Sequence, residues 1–111
     1  MNDLPLRRWL ATSLALAWLA GTPTLARAQT PATVDAANAD ALVKKGLEHR
    51  RRGEDEAALR QFEQAYLLVP TPRTLAQIAL AEQALGRWAE AEEHLGKALG
   101  AVDDPWIKRN R

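Results

Sequence analysis

Two consecutive stretches of 33 residues decide the fold of this chain: residues 39–71 read ADALVKKGLEHRRRGEDEAALRQFEQAYLLVPT, and residues 72–104 read PRTLAQIALAEQALGRWAEAEEHLGKALGAVDD. At an offset of 33, the residues that recur unchanged include Leu42 as Leu75, Gly53 as Gly86, Ala58 as Ala91, and Ala65 as Ala98. Three more keep their class: Phe62 becomes Leu95, Tyr66 becomes Leu99, and Gly46 becomes Ala79. A fixed period of this length is typical of repeat architectures.

The residue pattern of each unit predicts two helices joined by a turn that contains a glycine. In the first unit we expect helices over about 36–52 and 54–68, with Gly53 between them and Pro70 as the stop. In the second unit Thr71 is the expected N-cap and Pro72 the first helical residue, and the last full helix covers about 87–99. The basic run 50–52 fills the end of the first helix, where cations oppose the negative end of the helix dipole.

The pattern of Gly46, Gly53, Ala58, Phe62 and Ala65, followed by Pro70, resembles the tetratricopeptide repeat (TPR). The resemblance implies an all-α fold, a short right-handed solenoid of helical hairpins with repeats at 39–71 and 72–104. Its core would consist of Leu42, Gly46, Ala58, Phe62, Ala65, Leu75, Ala79, Ala91, Leu95 and Ala98. Lys45 and His49 depart from the family pattern, which has Leu and Tyr there. Ankyrin repeats share the period, but their helices are shorter than those expected here.

By the same resemblance, the first helix of each unit lines a concave surface that binds peptides. The positions carried over are Asp40, Val43, Leu47, Arg50, Arg73, Ala76, Leu80 and Gln83. They describe an apolar floor with Arg50 and Arg73 at its rim, suited to a short segment with an apolar side chain and an acidic group. The alternative is that these residues pack against the neighbouring segment 34–38 or against a second copy of the chain.

The sequence contains no recognisable catalytic or metal site. His49 and His94 lie in different units, the chain has no cysteine, and its one serine, Ser13, lies in the N-terminal segment. Glu90, four residues before His94, is expected to form a surface pair with it. We therefore predict a binding module rather than an enzyme, without a catalytic residue, metal or cofactor.

Two tryptophans follow the predicted turns. Trp88 comes directly after the second turn and is expected in the core, packed on the preceding helix. Trp106 belongs to the segment Asp104-Pro105-Trp106-Ile107, which has the cap and first-turn proline of a new helix. We interpret residues 105–111 as the start of a truncated third helix pair, and we expect Trp106 to be an exposed contact for a partner or for a second copy of the chain.

Residues 1–28 have the three parts of a secretory signal peptide: a basic start with Arg7 and Arg8, an apolar run from 9 to 20, and a small-residue site ending at Ala28. The run of 12 residues is shorter than the roughly 20 of a membrane span. Cleavage after Ala28 would release a periplasmic or secreted protein of the bacterial envelope, with residues 29–38 as a linker and the start of the first helix. Leu6, before the arginine pair, favours general over twin-arginine export, although the pair leaves both routes open.

The released chain would carry 12 basic and 13 acidic residues, so charge indicates neither a nucleic acid nor a membrane surface as partner. We predict an exported TPR adaptor for a protein or peptide. The alternatives are a remnant of a longer envelope protein and a regulatory subunit of an envelope enzyme. Because two helix pairs are fewer than the roughly three units that repeat folds need, we expect low stability and a gain from a partner or from homo-oligomerisation.

Overall fold

The computed structural model describes residues 30–111, and all regular secondary structure in that range is helical. Its five helices are α1 (Pro31–Arg51), α2 (Asp55–Leu68), α3 (Pro72–Ala84), α4 (Trp88–Leu99) and α5 (Pro105–Asn110). The all-α class is thus confirmed for this part of the chain. The predicted signal peptide lies outside the described residues.

Side-chain caps and prolines begin three of the helices. The Thr74 N–H donates to Thr71 Oγ1 over 3.1 Å, and the N–H groups of Trp106 and Ile107 donate to Asp104 Oδ1 over 2.8 and 3.1 Å. Both caps precede a proline, as predicted for α3 and α5.

Helix α1 begins earlier than expected. The sequence predicts a linker and the start of the first helix over residues 29–38, with the helix beginning at about residue 36, but Thr30 caps the helix and Pro31 is its first residue. The Thr33 N–H donates to Thr30 Oγ1 over 3.4 Å. Thr30-Pro31 therefore starts α1 as Thr71-Pro72 starts α3. As a result, α1 begins eight residues before the first repeat unit, which starts at residue 39.

The two glycine turns share one geometry. Gly53 and Gly86 have φ angles of 76° and 77°, in the left-handed region that glycine adopts without a Cβ penalty. The Glu54 N–H donates to the His49 carbonyl over 2.9 Å, and the Arg87 N–H to the Glu82 carbonyl over 2.8 Å. These are the long bonds of a Schellman motif, and they place α2 back along α1 and α4 back along α3.

The core lies where α1 packs on α2, α2 on α3, and α3 on α4. At the first crossing, a Cβ added to Gly46 would lie 2.7 and 2.8 Å from ring atoms of Phe62, so only glycine allows this approach. Among the predicted core positions, buried ones are Gly46, Ala58, Phe62, Ala65, Leu75, Ala79, Ala91 and Ala98, and Leu42 is half-buried.

Leu95 departs from this prediction, because it is 39% exposed although Phe62, its equivalent in the first unit, is fully buried. Phe62 lies on a helix that packs against both α1 and α3. Leu95 lies on α4, which packs on α3 but is not covered by a long following helix within the described range.

The two tryptophans have environments opposite to those predicted. Trp88 was expected in the core and is 63% exposed, whereas Trp106 was expected to be exposed and is half-buried against the core. For Trp106 the cause is α5, which packs on α3 with Ile107 only 1% exposed and brings Trp106 with it. Trp88 is the first residue of α4.

Candidate functional site

A side-chain hydrogen bond joins α1 to α3. Arg50 Nη1 donates to Gln77 Oε1 over 3.2 Å. Arg50 Nε is buried and has no hydrogen-bond partner, and no carboxylate among residues 30–111 forms an ion pair with this guanidinium. A buried N–H without an acceptor carries a cost in free energy, which an acceptor on a ligand would relieve. Arg50 is therefore the strongest indication of a binding position on this face.

A cavity of about 310 Å³ lies between the first half of α1 and the start of α3. It brings together Asp40, Val43 and Arg73 of the predicted groove, and it is also lined by Ala36, Ala39, Val69, Thr71 and Thr74. Asp40 and Arg73 are exposed, and neither forms an ion pair among the described residues. The cavity thus offers apolar walls with one free charge of each sign at its edge.

The structure does not unite the eight predicted groove residues in one site. Leu47 is half-buried on α1, and Ala76 is only 4% exposed and so is removed from direct contact with a ligand. Leu80 and Gln83 line a second cleft, between α3 and α4. The predicted surface therefore divides into the first cavity, the Arg50–Gln77 contact and this second cleft.

Sequence reasoning missed Gln77 and Trp88. Gln77 is a polar residue between the buried Ala76 and Ile78, and this interruption of an apolar run was the available signal. Trp88 was missed because an aromatic residue after a turn is equally compatible with burial and exposure.

His94 pairs with a different glutamate from the one expected. Its Nδ1 donates to the Glu82 carboxylate, 2.8 Å from Oε2 and 3.0 Å from Oε1, whereas Glu90 was the predicted partner. The side chain of Glu82 is only 5% exposed, so this bond across α3 and α4 provides its compensation for lost hydration. The pair is a packing element of the second hairpin.

The other histidine belongs to a charged cluster at the end of α1. His49 Nδ1 lies 2.6 Å from Glu54 Oε2, and Arg52 Nε donates to Glu54 Oε1 over 2.8 Å. The hydrogen bond from Arg52, followed by that from His49, lowers the pKa of Glu54 from its ordinary value of 4.5. Attraction between Arg52 and Glu54 thus links the end of α1 to the start of α2 across the Gly53 turn.

Within residues 30–111, no group of three histidine or acidic side chains is placed to hold a metal ion. None of the helices in the same range combines the length and apolar character needed to cross a membrane. No family model, curated protein or solved structure matches this chain.

Proposed function

We propose that this chain is an exported protein-interaction module that binds a peptide segment on the α1–α3 face and catalyses no reaction. The observation that carries the proposal is Arg50, whose guanidinium is held by Gln77 at the contact of the two helices without a carboxylate partner among the described residues. A ligand carboxylate would supply the missing acceptor and counter-charge.

The cavity between α1 and α3 is the expected site for the apolar part of the ligand. Its walls include Ala39, Val43 and Val69, and its volume of about 310 Å³ accommodates one medium-sized apolar side chain. Arg73 at its edge offers a second contact for an acidic group. The expected ligand is therefore a short segment with one apolar anchor and at least one carboxylate.

We further propose that the helices form a short solenoid of the TPR type. Two helical hairpins at an offset of 33 residues, the paired Schellman turns and the close crossing at Gly46 all support this arrangement.

A peptide-binding measurement tests the function. Fluorescently labelled peptides carrying one leucine and two glutamates are titrated with the protein, beside the same peptides with glutamine for glutamate. We expect Arg50→Gln to weaken binding of the acidic peptides by at least about tenfold, as for a charge-assisted contact. The matched control is Arg60→Gln, because Arg60 is an exposed arginine of α2. Equal binding of both peptide sets, or equal effects of both variants, would refute the assignment.

Export is tested separately by intact mass and N-terminal sequencing of the protein from cell fractions. We expect a periplasmic or secreted form that begins at Gln29. A cytoplasmic protein that keeps Met1 and the apolar run would contradict the export part of the proposal without affecting the binding part.

A further inference from the structure

A second apolar surface lies on the side of the molecule where α4 is uncovered. Trp88, Leu95 and Leu99 of α4 are 63%, 39% and 40% exposed. Next to them, Leu80 and Ala91 help to line the cleft between α3 and α4, which has a volume of about 320 Å³. We call this surface the α4 face; it comprises the cleft and these three exposed side chains.

The first unit shows what covers the equivalent face there. Helix α3 has 13 residues and packs on α2, and Phe62, the equivalent of Leu95, is fully buried. Helix α5 begins 33 residues after α3 with the same cap-and-proline start, but it has six residues and packs on α3. Because α3 covers α2 in this way, we expect the ligand that covers α4 to be a helix as well.

Charge indicates the kind of helix. Glu92 is the acidic residue of α4 that shares this face, because it lies four residues after Trp88 and three before Leu95. Its side chain is exposed and forms no ion pair with a cation among residues 30–111. Glu92 itself lines the cleft. A second copy that docked α4 against α4 would place two Glu92 carboxylates in one apolar interface, whereas lysine or arginine of a partner would neutralise Glu92. The ring of Trp88 also offers a face to a cation.

We propose that the α4 face binds an amphipathic helix of a partner protein, with an apolar side chain in the cleft against Leu80 and Leu95 and basic side chains against Glu92 and Trp88. This site is separate from the α1–α3 face: the first selects an acidic segment, and the second selects a basic helix. The chain would then join two partners of opposite charge.

The test uses the full chain, expressed with its native N-terminal segment and purified in the processed form that results. The probe is a labelled synthetic helix of about 14 residues, with leucine at i, i+4, i+7 and i+11 and lysine on the flanks. A second probe carries glutamate in place of every lysine. Binding is followed by fluorescence anisotropy, and sedimentation velocity at several concentrations reports the oligomeric state.

We expect the lysine probe to bind at least about tenfold more tightly than the glutamate probe. Trp88→Ala should weaken binding of the lysine probe by about tenfold or more, since an exposed tryptophan beside a cleft is a typical anchor. Glu92→Lys should reverse the preference between the two probes. The matched controls on α2 are Leu67→Ala, at an 83% exposed leucine, and Glu63→Lys; neither should change binding by more than about twofold.

Four results would overturn the proposal: absence of binding of the lysine probe to the wild type, equal binding of both probes, equal losses in Trp88→Ala and Leu67→Ala, or self-association that Trp88→Ala abolishes. The last would assign the face to a second copy. Because Trp88 and Glu92 are exposed, their variants should keep the wild-type helix content and melting midpoint, which circular dichroism checks. Failure of the acidic peptides at the α1–α3 face would leave this test unaffected.

Discussion

At the scale of single residues, two glycines inside helices predict opposite effects of the same substitution. A Cβ on Gly46 would lie 2.7 and 2.8 Å from the ring of Phe62, whereas a Cβ on Gly96 would meet no atom within 4 Å. We expect Gly46→Ala to lower the free energy of unfolding by about 1–3 kcal/mol through overpacking. Gly96→Ala should raise it by about 0.5–1 kcal/mol, because alanine favours the helix. Chemical denaturation measures both.

A second substitution at the partner residue separates overpacking from a loss of helix propensity. Phe62→Leu in the Gly46→Ala background removes ring atoms from the crossing, so the double variant should lose less stability than the sum of the two single losses. Additive losses in the double variant would show that the close approach to Phe62 is not the reason for glycine at this position.

Another residue-scale prediction concerns the buried carboxylate of Glu82. His94→Leu leaves this carboxylate without its hydrogen-bond donor, and we expect a loss of about 1–3 kcal/mol in the free energy of unfolding. The double variant Glu82→Met with His94→Leu should be more stable than His94→Leu alone, because no buried charge remains. Glu90→Ala is the control for the pairing expected from sequence. A larger loss in Glu90→Ala than in His94→Leu would contradict the observed pairing.

At the scale of helices, the charged cluster at the end of α1 leads us to expect that the stability of the fold depends on pH. The pKa of Glu54 is lowered by Arg52 and His49, so its carboxylate stabilises the fold above the ordinary pKa of 4.5, and that contribution is lost as the pH falls through the lowered value. We expect the melting midpoint of the wild type to exceed that of Glu54→Gln at neutral pH and the difference to shrink below pH 4.5. Thermal melts from neutral pH to about pH 2.5 measure this difference.

The matched control is Glu63→Gln, because Glu63 is exposed on α2 and forms no ion pair among the described residues. Its difference from the wild type should stay flat over the same pH range. If both variants lose stability in parallel on acidification, the interaction at the end of α1 is not the cause.

Helix boundaries were predictable wherever the signal is local. Thr71-Pro72 and Asp104-Pro105 gave the starts of α3 and α5, and Gly53 and Gly86 gave the turns, because caps and left-handed glycines act within a few residues. The start of α1 was placed too late although Thr30-Pro31 carries the same signal. The prediction followed the apolar periodicity of the repeat unit and overlooked the cap at Thr30.

The site was less predictable, because it depends on which helix covers which face. Val43 and Ala76 occupy equivalent groove positions, but Val43 lines the first cavity and Ala76 lines neither that cavity nor the second cleft, so repeat position alone does not determine access to a ligand. The burial of Trp106 has the same origin, since it depends on the packing of α5 on α3. Long-range packing of this kind leaves no periodic signal in one sequence.

At the scale of the whole molecule, the core is small in side-chain volume. Phe62 and Ile107 are its only large side chains that are less than 2% exposed among the described residues, and alanines supply many of the other buried positions. Alanine contributes much less burial energy than the roughly 1.5–3 kcal/mol of a large apolar side chain. The uncovered α4 face leaves still more apolar surface in water, so the free chain should be only marginally stable.

This leads to a prediction about partner dependence. In melts followed by circular dichroism, we expect a midpoint below about 70 °C that does not move over about a hundredfold range of protein concentration, because the Glu92 carboxylate on the α4 face opposes self-association. Adding the lysine probe should raise the midpoint in the wild type and not in Trp88→Ala, since a ligand that binds only the folded state stabilises it by mass action. A midpoint that rises with protein concentration would instead show that copies of the chain stabilise one another. A cooperative transition above about 70 °C without any ligand would show that two hairpins and α5 suffice for a stable fold.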